Sequence, residues 1–254
     1  MRIILTIFTV FSFLFVSGCW MEEEVIPPVS QGLSPKNLYL KASEEINAGT
    51  IDAALKTFDA LQAAYPASKY TIQSKLDSIY ALYKFERYNE AIELLDEYLK
   101  LYPNHFTSEY ALYLKGLIFE NKSKSIIDDY ITDIAQRDSS SVLSSLQAYI
   151  DLIKKYPNSK YSEEAKDKLI LLRNVLARHE LFIAIFYTKK NAHVSAINRC
   201  KFIIEKYPNT PSVPAALHLI AHNYQILGME QLAIDSKRVL KLSYPNYEPH
   251  YTLD

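Results

Sequence analysis

Small and apolar residues return at one fixed spacing five times along this chain. Each time a small residue stands twelve positions before a proline, with further core-type positions eight and five before it. The sets are Ala54, Phe58, Leu61 and Pro66; Ala91, Leu95, Tyr98 and Pro103; Ser145, Tyr149, Leu152 and Pro157; and Ala196, Cys200, Ile203 and Pro208. A fifth set, Ala233, Lys237, Leu240 and Pro245, has a lysine in the middle. Spacings of four and three place such side chains on one face of a helix. The proline cannot continue the helix and so ends it. Tyrosine precedes every one of these prolines, and the intervals between them are 37, 54, 51 and 37 residues.

A second helix is predicted upstream of each set. Ala42, Gly116, Ala184 and Ala221 share one register there, and Ile79 is the weaker match in the second unit. Asn47-Ala48-Gly49 and Leu227-Gly228 supply turn residues between paired helices. Each unit therefore reads as two antiparallel helices, and a period in this range marks an array in which each unit buries its apolar face on the next. The predicted fold is an all-α solenoid of five helix-turn-helix units, and its pattern resembles the tetratricopeptide repeat. Two intervals are too long. The third unit holds 17 extra residues around Asn121 to Ser141, where polar residues dominate, which predicts a surface insertion. The fourth holds 14 extra within Tyr161 to Lys190, a stretch without Gly or Pro, which predicts one long helix linking three repeats to the last two.

The N-terminus changes the picture. Arg2 precedes a 14-residue apolar run from Ile3 to Val16, too short to span a bilayer comfortably but suited to a secretory leader. Val16-Ser17-Gly18-Cys19 resembles the lipobox of bacterial lipoproteins. The resemblance implies cleavage before Cys19 and attachment there of a diacylglycerol and an N-acyl chain, enough for stable anchoring. No other cofactor is expected. Trp20 in place of Asp resembles an outer-membrane address. The expected organisation is a leader at 1–18, an extended tether at 19–34, repeats one to three at 35–160 and repeats four and five at 161–254. With Cys19 acylated, Cys200 stands alone and reads as a buried small hydrophobe. A net charge of −1 with no basic block argues against nucleic acid as a partner.

In a tetratricopeptide array the first helices line the concave face. Register places Tyr39, Asn47, Leu76, Tyr80, Tyr83, Lys84, Tyr113, Leu117, Glu120 and Asn121 on its exposed stripe, with Tyr110 one turn earlier. Tyrosine gives large amphipathic contacts with few rotors to freeze, so this groove suits an extended peptide bearing aromatic side chains. His218 and His222 are four apart on one helical face, but without the glutamate of a zinc-peptidase helix or a third ligand, so a partner-contacting or solvated role is expected rather than a metal. No constellation of nucleophile, base and phosphate loop is evident, and no enzyme activity is expected.

A more specific likeness runs through Arg137-Asp138, Ala148-Tyr149 and Leu152 to Tyr161. It continues through Leu171-Leu172-Arg173, Leu176-Ala177, Glu180-Leu181, Ala184, Tyr187-Thr188, Ala192, Val194 and Ala196-Ile197-Asn198-Arg199. This block resembles the BamD family of outer-membrane β-barrel assembly lipoproteins. That resemblance implies a non-enzymatic protein anchored on the periplasmic face of the outer membrane. Its implied partners are the periplasmic domains of the central barrel subunit, other assembly lipoproteins and unfolded β-barrel substrates. It implies that the C-terminal repeats dock on the barrel subunit, with Arg199, Asn198 and His193 on that side. It also implies that the groove of Tyr39, Tyr80, Tyr83, Tyr110 and Tyr113 meets the substrate targeting signal. An alternative of another class is a structural envelope lipoprotein organising cell-wall or division proteins, which would keep lipobox and repeats but lack the long-helix block.

Overall fold

The computed structural model describes residues 32–124 and 139–251, and ten helices form among them. They are α1 (Pro35–Asn47), α2 (Ile51–Ala64), α3 (Lys69–Lys84), α4 (Tyr88–Leu101) and α5 (Ser108–Lys122), followed by α6 (Ser140–Lys155), α7 (Lys160–Lys189), α8 (His193–Lys206), α9 (Val213–Ile226) and α10 (Glu230–Ser243). Each helix packs on the next in sequence, and α1, α3, α5, α7 and α9 also pack one on another. The first helices of the five units thus form one continuous ridge, as the register required. The insertion between α5 and α6 lies largely outside the described residues, as do the leader, Cys19 and most of the tether. No helix among the described residues is long and apolar enough to cross a membrane.

The spaced sets of the sequence are the core. Ala54, Phe58, Leu61, Ala91, Leu95, Tyr98, Ser145, Tyr149, Leu152, Ala196, Cys200 and Ile203 are all at most 1% exposed. In the last unit Ala233 is buried, whereas Lys237 is exposed and Leu240 half-buried, because among the described residues no further helix packs on α10. The Cys200 thiol, pushed up to about 12 by burial, is inert at neutral pH.

Local chemistry fixes both kinds of turn. Four first helices end in the same way, with a left-handed residue at Gly49, Glu86, Asn191 or Gly228. In each, the following amide bonds back across the last turn: Thr50 to Glu45, Arg87 to Leu82, Ala192 to Tyr187 and Met229 to Tyr224. Only the two glycine versions were visible in sequence. The second helices end at the Tyr-Pro pairs, and a hydroxyl latches the tyrosine carbonyl: Thr71 on Tyr65, Ser108 on Tyr102, Ser162 on Tyr156 and Thr210 on Tyr207.

Helix α7 serves two units. Its first half buries Ala165, Leu172 and Leu176, and its second half buries Ala177, Ala184 and Thr188. Both triplets have the same spacing of seven and four, offset by twelve residues. Twelve residues turn a helix by about 120° and advance it about 18 Å. The first triplet joins the core with Tyr149 and Leu152. Ala177 and Ala184 join the core with Cys200 and Ile203. The 14 extra residues of the fourth interval are therefore a second first-helix face laid end to end with the first.

Candidate peptide groove and docking face

Tyr39, Tyr80, Tyr83 and Tyr110 gather on the ridge of α1, α3 and α5. Tyr39 donates its hydroxyl to Asp77 Oδ2 at 2.6 Å, and burial followed by that carboxylate pushes its pKa up. Tyr80 is 43% exposed, and its ring lies 6.1 Å from that of Tyr83. Asn121 Nδ2 donates to Tyr83 Oη at 3.0 Å. Tyr110 packs against Tyr161 at 5.4 Å, and its hydroxyl is pushed up to about 12 by burial first and then by Tyr80 and Tyr161. Burial first, and then the neighbouring Tyr88 and Tyr80, raises Tyr83 as well, so Tyr39, Tyr83 and Tyr110 stay neutral phenols at physiological pH; all four offer ring faces with polar tips.

Tyr113 departs from the expectation. It is only 7% exposed, stacked on Tyr161 at 5.1 Å and tilted against Tyr149 at 6.0 Å. The first turns of α7 close over it, so Tyr113 belongs to the packing between repeats three and four and not to the open groove. Leu76 and Glu120, expected on the exposed stripe, are buried as well. Glu120 Oε1 accepts from Lys124 at 2.7 Å and Oε2 lies 3.1 Å from Lys168, which makes it a clamp between α5 and α7.

On α8, Arg199 Nη1 lies 3.0 Å from Glu180 Oε2 of α7. Arg199, Asn198, Tyr187, Ser195 and Phe202 line one cavity of about 360 Å³. His193 lies apart from it, its Nδ1 at 2.8 Å from Oδ1 of the fully buried Asn223. The structure therefore unites Arg199 with Asn198 and ties His193 into the core beneath. His218 is half-buried: Tyr251 Oη sits 2.8 Å from its Nδ1, and Tyr247 packs beside it. Burial first, and then the neighbouring His222, lowers its pKa. Among the described residues no three His, Cys, Asp or Glu side chains converge on a metal position.

Sequence reasoning passed over Phe106. It is 79% exposed, in the turn before α5, with its ring 4.3 Å from that of His105. A bulky apolar residue in the hydrophilic turn Pro103-Asn104-His105 was the available signal.

Five helix pairs stacked so that their first helices form one ridge, with an open aromatic wall on it and an arginine-bearing cavity on α8, define a helical-repeat solenoid. Residues 31–240 match the model of a family described as "YfiO: Outer membrane lipoprotein". The chain is similar to the outer membrane protein assembly factor BamD of Neisseria meningitidis serogroup A, with 34% identity over 218 residues, 85% of this chain and 82% of that one. The BamD proteins of Vibrio cholerae (30% identity, 89% and 92% covered) and Xylella fastidiosa strain Temecula1 (29%, 93% and 80%) are also similar. The chain belongs to this outer-membrane lipoprotein family. Among solved structures it is similar to the MamA protein (15% identity, TM-score 0.34, 86% and 98% covered) and to a tetratricopeptide repeat protein from Parabacteroides merdae (13%, TM-score 0.38, 85% and 80%).

Proposed function

We propose that this chain is the lipid-anchored adaptor of an outer-membrane β-barrel assembly machine. Lipid on Cys19 would hold it to the periplasmic face of the outer membrane, with residues 19–34 as tether. Repeats one to three, residues 35–160, would receive the targeting signal of an unfolded β-barrel substrate along Tyr39, Tyr80, Tyr83 and Tyr110. Repeats four and five, 161–254, would dock on the periplasmic domains of the central barrel subunit through Arg199 and Asn198, beside other assembly lipoproteins. Binding here is passive and needs no catalytic group.

The observation that supports this reading is the separation of the two surfaces along one solenoid, the first on the first-helix ridge and the second mainly on α8. The Tyr80 wall and the Arg199 cavity share no residue, so one chain can hold two partners at once. The Glu180–Arg199 pair also leaves the Arg199 side chain about two-fifths exposed, able to meet a second carboxylate.

The test is fractionation and co-purification of C-terminally tagged chains from membranes. Cys19→Ala should leave the protein in the soluble fraction. Arg199→Glu should weaken recovery of a large barrel protein while leaving substrate crosslinking in place. Tyr80→Ala with Tyr83→Ala should reduce crosslinking to a barrel C-terminal peptide and spare docking. Recovery of division or cell-wall proteins without a barrel subunit would overturn the reading.

A further inference from the structure

A ring contact recurs where one unit meets the next. Tyr39 and Tyr113 each stand three residues before the small residue of their first helix, Ala42 and Gly116. Each is covered by a tyrosine from the first turn of the following first helix. Tyr70 of α3 lies 5.4 Å from Tyr39, and Tyr161 of α7 lies 5.1 Å from Tyr113. His218 holds the same position on α9, three before Ala221. Among the described residues no first helix follows α9, and yet His218 is covered. The Tyr251 ring lies 5.9 Å away and the Tyr247 ring 6.2 Å.

Residues 246–251 make this cover without a helix. The Tyr247 amide donates to the Tyr244 carbonyl at 3.1 Å and closes the turn at Pro245. Tyr251 Oη lies 2.8 Å from His218 Nδ1 and donates to the Ala215 carbonyl at 3.3 Å. Its ring packs on the core that holds Cys200, Ala216 and Leu219. Glu248, Pro249 and His250 between the two rings are exposed. A segment held by so few contacts opens at low cost.

What lies beneath resists positive charge. His222 is one turn from His218, Lys237 acts on both from α10, and His193 acts on His222 from α8. The segment itself brings Tyr247 and Tyr251, both kept neutral by burial. No carboxylate pairs with either histidine among the described residues. Burial first, and then these cationic neighbours, lowers both histidines.

We propose that residues 246–251 are a strap that covers α9 as a following first helix covers α1 and α5, and that the strap lifts when His218 and His222 take up protons. With the strap down, a proton on His218 is half-buried beside His222 and Lys237. With it up, the same proton is solvated, so protonation favours the open form. A histidine lowered in the closed form stabilises that form above the ordinary 6.5, and the stabilisation is lost as pH falls through the lowered value. The face then changes from a covered ring joint to an open cationic one.

Spin-label spectroscopy on the full chain in mild detergent reads the strap. Cys200 is buried and inert, so with Cys19 acylated the substitution His250→Cys supplies the one reactive thiol. The label should be immobilised at about pH 7.5 and mostly mobile by about pH 5, the open-to-closed ratio rising up to about tenfold per pH unit for each proton taken up. Tyr251→Ala should free the label at both pH values with helix content by circular dichroism unchanged. His218→Tyr copies the residue of units one and three and cannot charge; combined with His222→Gln it should keep the label immobilised down to about pH 5. A mobile label at neutral pH before any further substitution, or an immobilised one in Tyr251→Ala, overturns the strap. A label that stays immobilised in acid overturns the opening, and an acid response that persists in the double variant overturns its control by these histidines. A mobile label in the double variant at neutral pH would overturn the equivalence of Tyr251 with Tyr70 and Tyr161.

Discussion

The seam between α3 and α5 and the seam between α5 and α7 are both lined with tyrosine, yet one is open and the other shut. In the first, Tyr80 is 43% exposed, and its hydroxyl has no hydrogen-bond partner among the described residues. In the second, Tyr113 and Tyr149 are 7% and 0% exposed. What separates them is what the next first helix brings. α7 begins with Tyr161, Glu164 and Lys168, which stack on Tyr113, accept its hydroxyl and clamp Glu120. Nothing equivalent reaches Tyr80. Tyrosine content alone does not make a groove: a tyrosine whose tip finds a partner inside the solenoid becomes core, and one whose tip does not stays available for a ligand.

That contrast predicts opposite consequences for the same substitution. Tyr113→Ala should cost about 3 kcal/mol, because it empties a packed site and strips partners from Tyr149 and Tyr161. Tyr80→Ala should cost under about 1 kcal/mol, as expected for a half-exposed side chain. Urea unfolding followed by circular dichroism measures both. Equal losses would erase the distinction between the seams.

Gly116 sharpens the comparison one step down in size. A Cβ built there would stand 2.3 Å from Tyr149 Cε1, and Ser145 Oγ donates to its carbonyl at 2.9 Å. The units exchange volume across this pair: Gly116 opposes Tyr149, whereas Ala42 shares a core with Phe58, and Ile79 with Leu95. Gly116→Ala gains up to about 1 kcal/mol of helix propensity. Overpacking of the buried ring costs about 1–3 kcal/mol and should win, so the midpoint of unfolding falls. A rise would mean that Tyr149 can retreat, and that the closed seam is softer than its burial indicates.

The volume exchange explains why Ile79 looked like a weak member of its register. The pattern along one helix carries only one of the two facing residues, while the constraint acts on their sum. The backbone of the fold was legible because Pro66, Pro103, Pro157, Pro208 and Pro245 mark helix ends by covalent chemistry and because the four-three spacing survives in every unit. The long helix was legible from the absence of Gly and Pro between Tyr161 and Lys190. Open and closed tyrosines were not separable, because register tells which way a side chain leaves its own helix and nothing of how near the next helix comes. The left-handed turns at Glu86 and Asn191 were hidden because the closing backbone bonds of the helix end, Arg87 to Leu82 and Ala192 to Tyr187, hold ordinary residues where glycine is preferred. Phe106 was missed because a turn offers no periodicity from which to judge a side chain.

The smallest expected effect tests the clamp that shuts the second seam. Burial alone would raise the Glu120 carboxyl, but hydrogen bonds and charge from Lys124 and Lys168 outweigh it and hold the folded value below the ordinary 4.5. A carboxylate depressed in the fold adds stability that is fully present above its unfolded pKa and is lost as pH falls through the folded value. Glu120→Gln keeps a partner for the Tyr149 hydroxyl, which donates to Glu120 Oε2 at 3.3 Å, but loses both ammonium contacts. At neutral pH it should cost about 1 kcal/mol. On acidification below about 4.5 the wild type should lose stability toward the variant, so the gap between their unfolding midpoints closes. An acid profile parallel for the two proteins would show that the lysines do not hold the seam, and would leave the stacking of Tyr113 on Tyr161 as what keeps it shut.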